Sequence, residues 1–224
     1  MRILGIESAS LVVSVAIVTD DVITAEYTVN LKKTHSQTLL PMIDEILTMT
    51  QTDKRSIDAI AVSGGPGSYT GLRIGSATAK GLGMALDIPL IHVPTLDAMA
   101  YNAYGYAGLV CPIMDARRSQ VYTGIYEFSD GKFNILLENS AITFDELMEK
   151  LDVLNTSGKK VMFIGDGIPV FKDRIDEHFK GTGYELAPAS MNRQRAASVA
   201  VLGGIYYNEG KTEAAAEHLP DYLR

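Results

Sequence analysis

Cysteine is nearly absent from this chain of 224 residues, Cys111 being the only one. A lone cysteine forms no internal disulfide, and Cys111 lies in an apolar run, where a buried and inert thiol is expected. Basic charge is also in short supply. Twenty lysines and arginines face 27 aspartates and glutamates, for a formal net charge of −7. Proteins that bind RNA unaided gain affinity by neutralising phosphates with a basic face. That disfavours a stand-alone RNA binder, although Arg117-Arg118 and Arg193 to Arg195 form local patches. Long apolar runs are missing at the start. Met1-Arg2-Ile3-Leu4-Gly5-Ile6-Glu7 meets a carboxylate almost at once, which suits neither a signal peptide nor a membrane span. These absences together point to a cytoplasmic protein.

Catalytic constellations are thin as well. The histidines are His35, His92, His178 and His218, and no two are four residues apart. His35 is followed four positions later by Leu39, so that helix start offers no two-imidazole metal pair. There is no Gly-x-Ser-x-Gly nucleophile elbow, and no carboxylate pair stands out as an acid–base dyad. Neither catalytic residues nor a metal site is expected.

What is present is ordinary globular material, 46% hydrophobic and 21% charged, enough for a sizeable core. Strand patterns cover Ile3 to Ser8, Leu11 to Thr19 and Val22 to Val29, with Asp20-Asp21 suited to a tight hairpin. A helix is expected from about Ser36 to Thr50, with N-cap candidates in Thr34-His35-Ser36 and with Pro41 implying a kink or a late start. A strand over Ala59 to Ser63 runs through a glycine-rich loop into a long helix ending near Leu86. A strand at Leu90 to Val93 and a helix from Thr95 to Tyr104 follow. After Gly105 the order repeats: three strands (Val110 to Ala116, Ser119 to Phe128, Phe133 to Ile142), a helix from Phe144, a strand at Val161 to Ile164, and helices near Ile168 to Phe179 and Ala196 to Tyr207.

Two local matches in the same order support a duplication. Ile6-Glu7-Ser8-Ala9-Ser10 resembles Met114-Asp115-Ala116-Arg117-Arg118, each an apolar strand ending in a carboxylate and a small turn. Ala61-Val62-Ser63-Gly64-Gly65 resembles Met162-Phe163-Ile164-Gly165-Asp166. The expected architecture is α/β, two βββαβα units, with lobes at 1–104 and 105–224.

Three segments invite a functional reading. Glu7, Ser8 and Ser10 sit in a turn that can surround a phosphate with donors, or that can simply bond its own hydroxyls. Gly65, Gly67 and Ser68 lie in a loop opening a helix, a natural anion site, or else a tight connection needing positive φ. That loop is neither a Walker A motif nor a dinucleotide fingerprint. The third segment is a helix pair. Leu39, Leu40, Met42, Ile43, Ile46, Leu47 and Met49 spread over roughly half the helix circumference, where one core needs an arc of only about 100°. Gly71, Gly75, Ala79 and Gly83 make a small-residue stripe on the next helix, with Ala77, Gly81 and Ala85 beside it. A second polypeptide docking on this pair would use both features, as would deep burial in the chain's own core.

Several strings carry a family resemblance: Ile3-Leu4-Gly5-Ile6-Glu7-Ser8-Ala9-Ser10, His35-Ser36-Gln37-Thr38-Leu39-Leu40-Pro41, Ser63 to Gly75, Met114 to Tyr122, and the tail Pro220-Asp221-Tyr222-Leu223-Arg224. In that order, and with Gly-Gly-Pro-Gly-Ser-Tyr-Thr-Gly-Leu-Arg among them, the chain resembles the TsaB (YeaZ) family. The resemblance implies an actin-like (ASKHA, ribonuclease-H-like) fold and a part in making N6-threonylcarbamoyladenosine at position 37 of tRNAs that read codons starting with A. It implies a non-catalytic subunit that docks the related transferase TsaD through its N-terminal helices, is joined by the ATPase TsaE, and dimerises through the same surface when alone. Transfer RNA would be met only through the complex. No tightly bound cofactor is implied, and ATP or ADP would belong to the partner interface. Two other readings stand beside it: from the Glu7-Ser8 turn and the Gly64 to Ser68 loop, a residual actin-like ATPase or kinase using an interlobe cleft, and, ranked last and implied only by the label glycoprotease given to the wider family, a metallopeptidase.

Overall fold

Two aspartates close the first hairpin. Asp20 and Asp21 adopt φ of 47° and 64°, the pair of positive values a two-residue turn needs to match strand twist. They join β2 (Val13–Thr19) to β3 (Val22–Val29), and β2 pairs antiparallel with β1 (Arg2–Glu7). The computed structural model describes residues 1–31 and 34–223. Arg224, the last residue of the tail string, lies outside them.

After β3 come α1 (His35–Met49), β4 (Ala59–Gly65), α2 (Tyr69–Leu86), β5 (Leu90–Pro94) and α3 (Thr95–Tyr101). The second series is β6 (Leu109–Arg117), β7 (Gln120–Ser129), β8 (Lys132–Thr143), α4 (Phe144–Leu154), β9 (Val161–Ile164), α5 (Ile168–His178), β10 (Glu185–Leu186) and α6 (Ala196–Asn208). The sheets run β3-β2-β1-β4-β5 and β8-β7-β6-β9-β10. Each is an antiparallel meander extended by parallel strands. The duplicated βββαβα pattern is therefore present, and each copy continues into a fifth strand and a further helix. This is the α/β actin-like arrangement.

The described residues form two units, residues 1–98 with 194–222, and residues 99–193 with Leu223. The division expected after Tyr104 thus misassigned the C-terminal segment. Alternation in the first sheet explains why α6 belongs to the first unit. Leu4, Ile6, Val13, Val15, Ile17, Ile60 and Val62 point to one side, where α1 and α2 cover them. Gly5, Ala16 and Ala61 are small and point to the other. There the small face of α6 fits closely: a Cβ on Gly5 would strike the Ala196 carbonyl, and one on Gly203 would strike Ala61. Glu26 holds the start of α6, accepting from the Ala197 N–H at 3.0 Å and pairing with Arg195. A carboxylate at a helix N-terminus is favourably placed against the helix dipole.

In the second unit, Leu109, Cys111, Ile113, Phe163, Phe144 and Phe171 share a core, the last two rings stacked at 4.7 Å. Thr143 and Glu146 form a reciprocal capping box at α4, as a Thr-x-x-Glu spacing allows. Cys111 is fully buried, and burial pushes its thiol up to about 12. Among the described residues no helix is long and apolar enough to cross a membrane.

Candidate functional site

The helix pair of the first unit carries the site. In α1, Leu39, Ile43 and Ile46 are buried against the sheet, and Met42 and Leu47 are half-buried on the same core. Leu40 and Met49 remain outside, 55% and 65% exposed. The expected docking set on this helix therefore divides: Ile43 and Ile46 belong to the chain's own core, and Leu40 faces solvent. Of the two consequences weighed for Pro41, a kink or a late start, the late start does not occur, since the helix begins at His35 with Thr34 as N-cap, close to the expected Ser36.

In α2 the expected stripe faces inward. Gly71, Gly75 and Ala79 are buried. A Cβ on Gly71 would strike the Ser8 carbonyl, and one on Gly75 would strike the Ser8 hydroxyl. These glycines let the helix settle on the β1 turn, so they are unavailable to another chain. The neighbouring stripe, Ala77, Gly81 and Ala85, is the exposed one. With Leu40, Leu39, Ile74 and Leu82, its residues Ala77 and Gly81 line an apolar groove of about 550 Å³ between the two helices. A second groove of about 330 Å³, lined by Tyr69, Thr70 and Arg73, shares Ile74 and Ala77 with it. Tyr69 is 58% exposed and accepts from Arg73 at 2.8 Å. A continuous apolar trough thus ends in an exposed tyrosine and arginine, residue types that anchor protein interfaces. Ile74 and Leu82 were not singled out from sequence, whereas Ala77 and Gly81 were noted there only as lying beside the expected stripe.

The residues expected at a phosphate site do come together, and their polar groups are engaged by neighbouring backbone. Glu7 is fully buried and its Oε1 accepts from the Ala9 N–H at 2.6 Å. Ser8 Oγ donates to the Gly71 carbonyl at 2.9 Å, while Ser10 Oγ accepts from the Val12 N–H at 3.1 Å. Ser68 caps α2 by accepting from the Gly71 N–H, and its own N–H donates to the Ala9 carbonyl at 2.6 Å. Gly67 lies against Ala9, and Gly65, at φ 126°, against the Asp221 carbonyl. The Asp221 N–H in turn donates to the Gly64 carbonyl at 2.7 Å, and Tyr222 packs on Tyr69 at 4.9 Å. The tail string and the glycine loop therefore form one lock. His35 Nε2 lies 2.8 Å from the Ser10 carbonyl and ties the start of α1 to the same turn. Glu7 Oε2 has no hydrogen-bond partner among the described residues, and burial raises the carboxyl to about 7.

Comparison with known proteins agrees with this arrangement. A family model described as TsaD, tRNA N6-adenosine threonylcarbamoyltransferase, matches residues 23–224. A protein of Bacillus subtilis (strain 168) named tRNA threonylcarbamoyladenosine biosynthesis protein TsaB is 34% identical, covering 100% of this chain and 94% of its own. Its namesake in Escherichia coli (strain K12) is 33% identical, over 100% and 95%. The solved structure of YeaZ from Pseudomonas aeruginosa matches with a TM-score of 0.84 at 24% identity, over 99% of each chain, and bears on the fold. The match to the TsaD model and the full-length identity to its relatives place this chain in the TsaB (YeaZ) family of TsaD-related proteins.

Proposed function

We propose that this chain is a cytoplasmic, non-catalytic subunit that supports threonylcarbamoylation of tRNA by docking a TsaD-type transferase on the α1–α2 trough. The observation that carries this reading is the exposed apolar trough lined by Leu40, Ile74, Ala77, Gly81 and Leu82. It lies on a unit whose candidate phosphate-site side chains are engaged by neighbouring backbone groups. The transfer chemistry then belongs to the partner. A TsaE-type ATPase joins the pair, tRNA meets the assembly rather than this chain alone, and any ATP or ADP sits where the partner contributes. In the partner's absence a second copy covers the same trough.

A stable docked complex of this kind buries at least about 1,000 Å² in total. The test uses Leu40→Asp and Ala77→Arg, two exposed positions whose replacement leaves the core intact. Co-purification with the transferase should be lost, while the melting temperature of the isolated chain stays within a few degrees. Retained pairing in both variants would refute the docking surface. Ile43 and Ile46 are unsuitable targets, because a charge at either buried site unfolds the unit.

A further inference from the structure

Three side chains distant in sequence meet in the first unit. His92 comes from β5, and Glu213 and His218 from the segment after α6. One donor atom from each lies within 4.8 Å of the other two. The imidazole rings are 5.5 Å apart, and Asp221 Oδ2 is 3.3 Å from His92 Nε2. The segment is fixed from several sides. Glu213 exchanges backbone hydrogen bonds with Leu90 at 3.0 Å, and Lys80 Nζ donates to the His218 carbonyl at 3.1 Å. The His92 ring lies over Gly64, where any Cβ would collide with it.

The second observation concerns His218 itself. Its side chain is wholly buried, its Nδ1 sits 2.6 Å from Glu213 Oε1, and its Nε2 has no hydrogen-bond partner among the described residues. A buried nitrogen left unpaired is unfavourable unless something binds it. With the proton on Nδ1 and donated to Glu213, Nε2 keeps its lone pair. A carboxylate behind a histidine is how metal sites fix tautomer and ring orientation.

We propose that His92 and His218, with carboxylate oxygen from Asp221 and with Glu213 orienting His218 from behind, hold one divalent transition-metal ion of the zinc class. Imidazole nitrogen with carboxylate oxygen suits such ions, whereas calcium and magnesium prefer oxygen alone. Two carboxylates and two neutral imidazoles also balance the charge of a divalent cation. Around a tetrahedral zinc ion with bonds of about 2.1 Å, donors sit about 3.4 Å apart. Asp221 Oδ2 and His92 Nε2 already stand at 3.3 Å. The ion clamps residues 213–221 to β5, and so stiffens the lock between the tail and the glycine loop.

The test titrates the chelator-stripped full chain with Zn²⁺ by calorimetry and with Co²⁺ by visible absorption. His92→Asn, Glu213→Gln and His178→Asn are run in parallel, after circular dichroism shows each is folded. His178 pairs with Asp152 in the second unit at 3.1 Å and controls for surface binding. We expect one ion per chain, tetrahedral Co²⁺ bands, and a melting temperature raised by Zn²⁺. His92→Asn should weaken binding at least about 100-fold and Glu213→Gln about 10-fold or more, with His178→Asn unchanged. Absence of binding, binding indifferent to His92→Asn, or binding lost in His178→Asn would each overturn the site.

Discussion

Glu7 at the end of β1 and Asp115 in β6 make the same local bond. Each carboxylate accepts from the backbone N–H two residues on, Ala9 at 2.6 Å and Arg117 at 2.8 Å. Their surroundings then part company. Glu7 is sealed beneath α2 and the glycine loop, with no cation against it. Asp115 is partly open to water and also pairs with the exposed Arg117 guanidinium at 3.1 Å. Arg117, Arg118 and Ser119 continue that turn at φ of 69°, 52° and 61°. One device, a side chain closing its own turn, thus serves a buried lock in the first unit and an exposed bend in the second. In a duplicated fold, the turn chemistry can be shared while the packing above it decides what the copy is for.

The lock is the place to break this contrast most severely. Gly71→Val puts a side chain into the Ser8 carbonyl, a backbone atom held in the buried turn. Overpacking of this kind costs typically 1–3 kcal/mol and occasionally more. We expect about 3 kcal/mol, lowering the melting temperature by roughly 6–12 °C for a chain of this size. A Gly105→Ala control probes a loop glycine with open space around it, where only the strained φ of 83° is disturbed and the loss should be smaller. Equal losses at the two positions would mean that the helix does not rest on the turn.

Element boundaries were legible because hydrophobic period and turn residues are local properties. Asp20-Asp21 and the glycine-rich loop leading into α2 both announced themselves. Two things were not legible. An apolar wheel on α1 cannot separate Ile43, facing its own sheet, from Leu40, facing outward, because both are equally hydrophobic. In the same way, Gly71-Gly75-Ala79 and Ala77-Gly81-Ala85 are adjacent small stripes, and only the position of Ser8 says which one is covered. Long-range closure was hidden too. Nothing near Ala196 shows that α6 returns to the first sheet except its small residues, which match Gly5 and Ala61 far upstream. His92 and His218 look solitary in sequence for the same reason.

Acidity sharpens the comparison next. Glu7 has an ordinary value of 4.5 and is raised to about 7 in the fold, chiefly by burial. Between those values the native carboxyl keeps its proton while the unfolded one has lost it. The native state therefore binds more protons, and stability falls as pH rises through this window. At about 1.4 kcal/mol per unit, the loss from pH 4.5 to pH 7 is on the order of 3 kcal/mol. Glu7→Gln cannot ionise and still accepts from Ala9. Denaturant midpoints at pH 5 and pH 8 should show the variant gaining on the parent by about 2–3 kcal/mol at the higher pH. A gap that does not change with pH would show that the carboxyl is not held protonated.

The smallest effect belongs to the open turn. Asp115→Ala removes the bond to the Arg117 N–H and an ion pair whose arginine side chain is 86% exposed. Exposed ion pairs contribute about 0–1 kcal/mol, and water replaces the lost acceptor for the Arg117 N–H. We expect a loss under about 1 kcal/mol, read as a denaturant midpoint, with no difference between pH 5 and pH 8 beyond that of the parent. If Asp115→Ala costs as much as Gly71→Val, the bend is a structural lock like its counterpart. The contrast between the copies would then lie in composition alone, and the second unit would be guarding its turn by means other than burial.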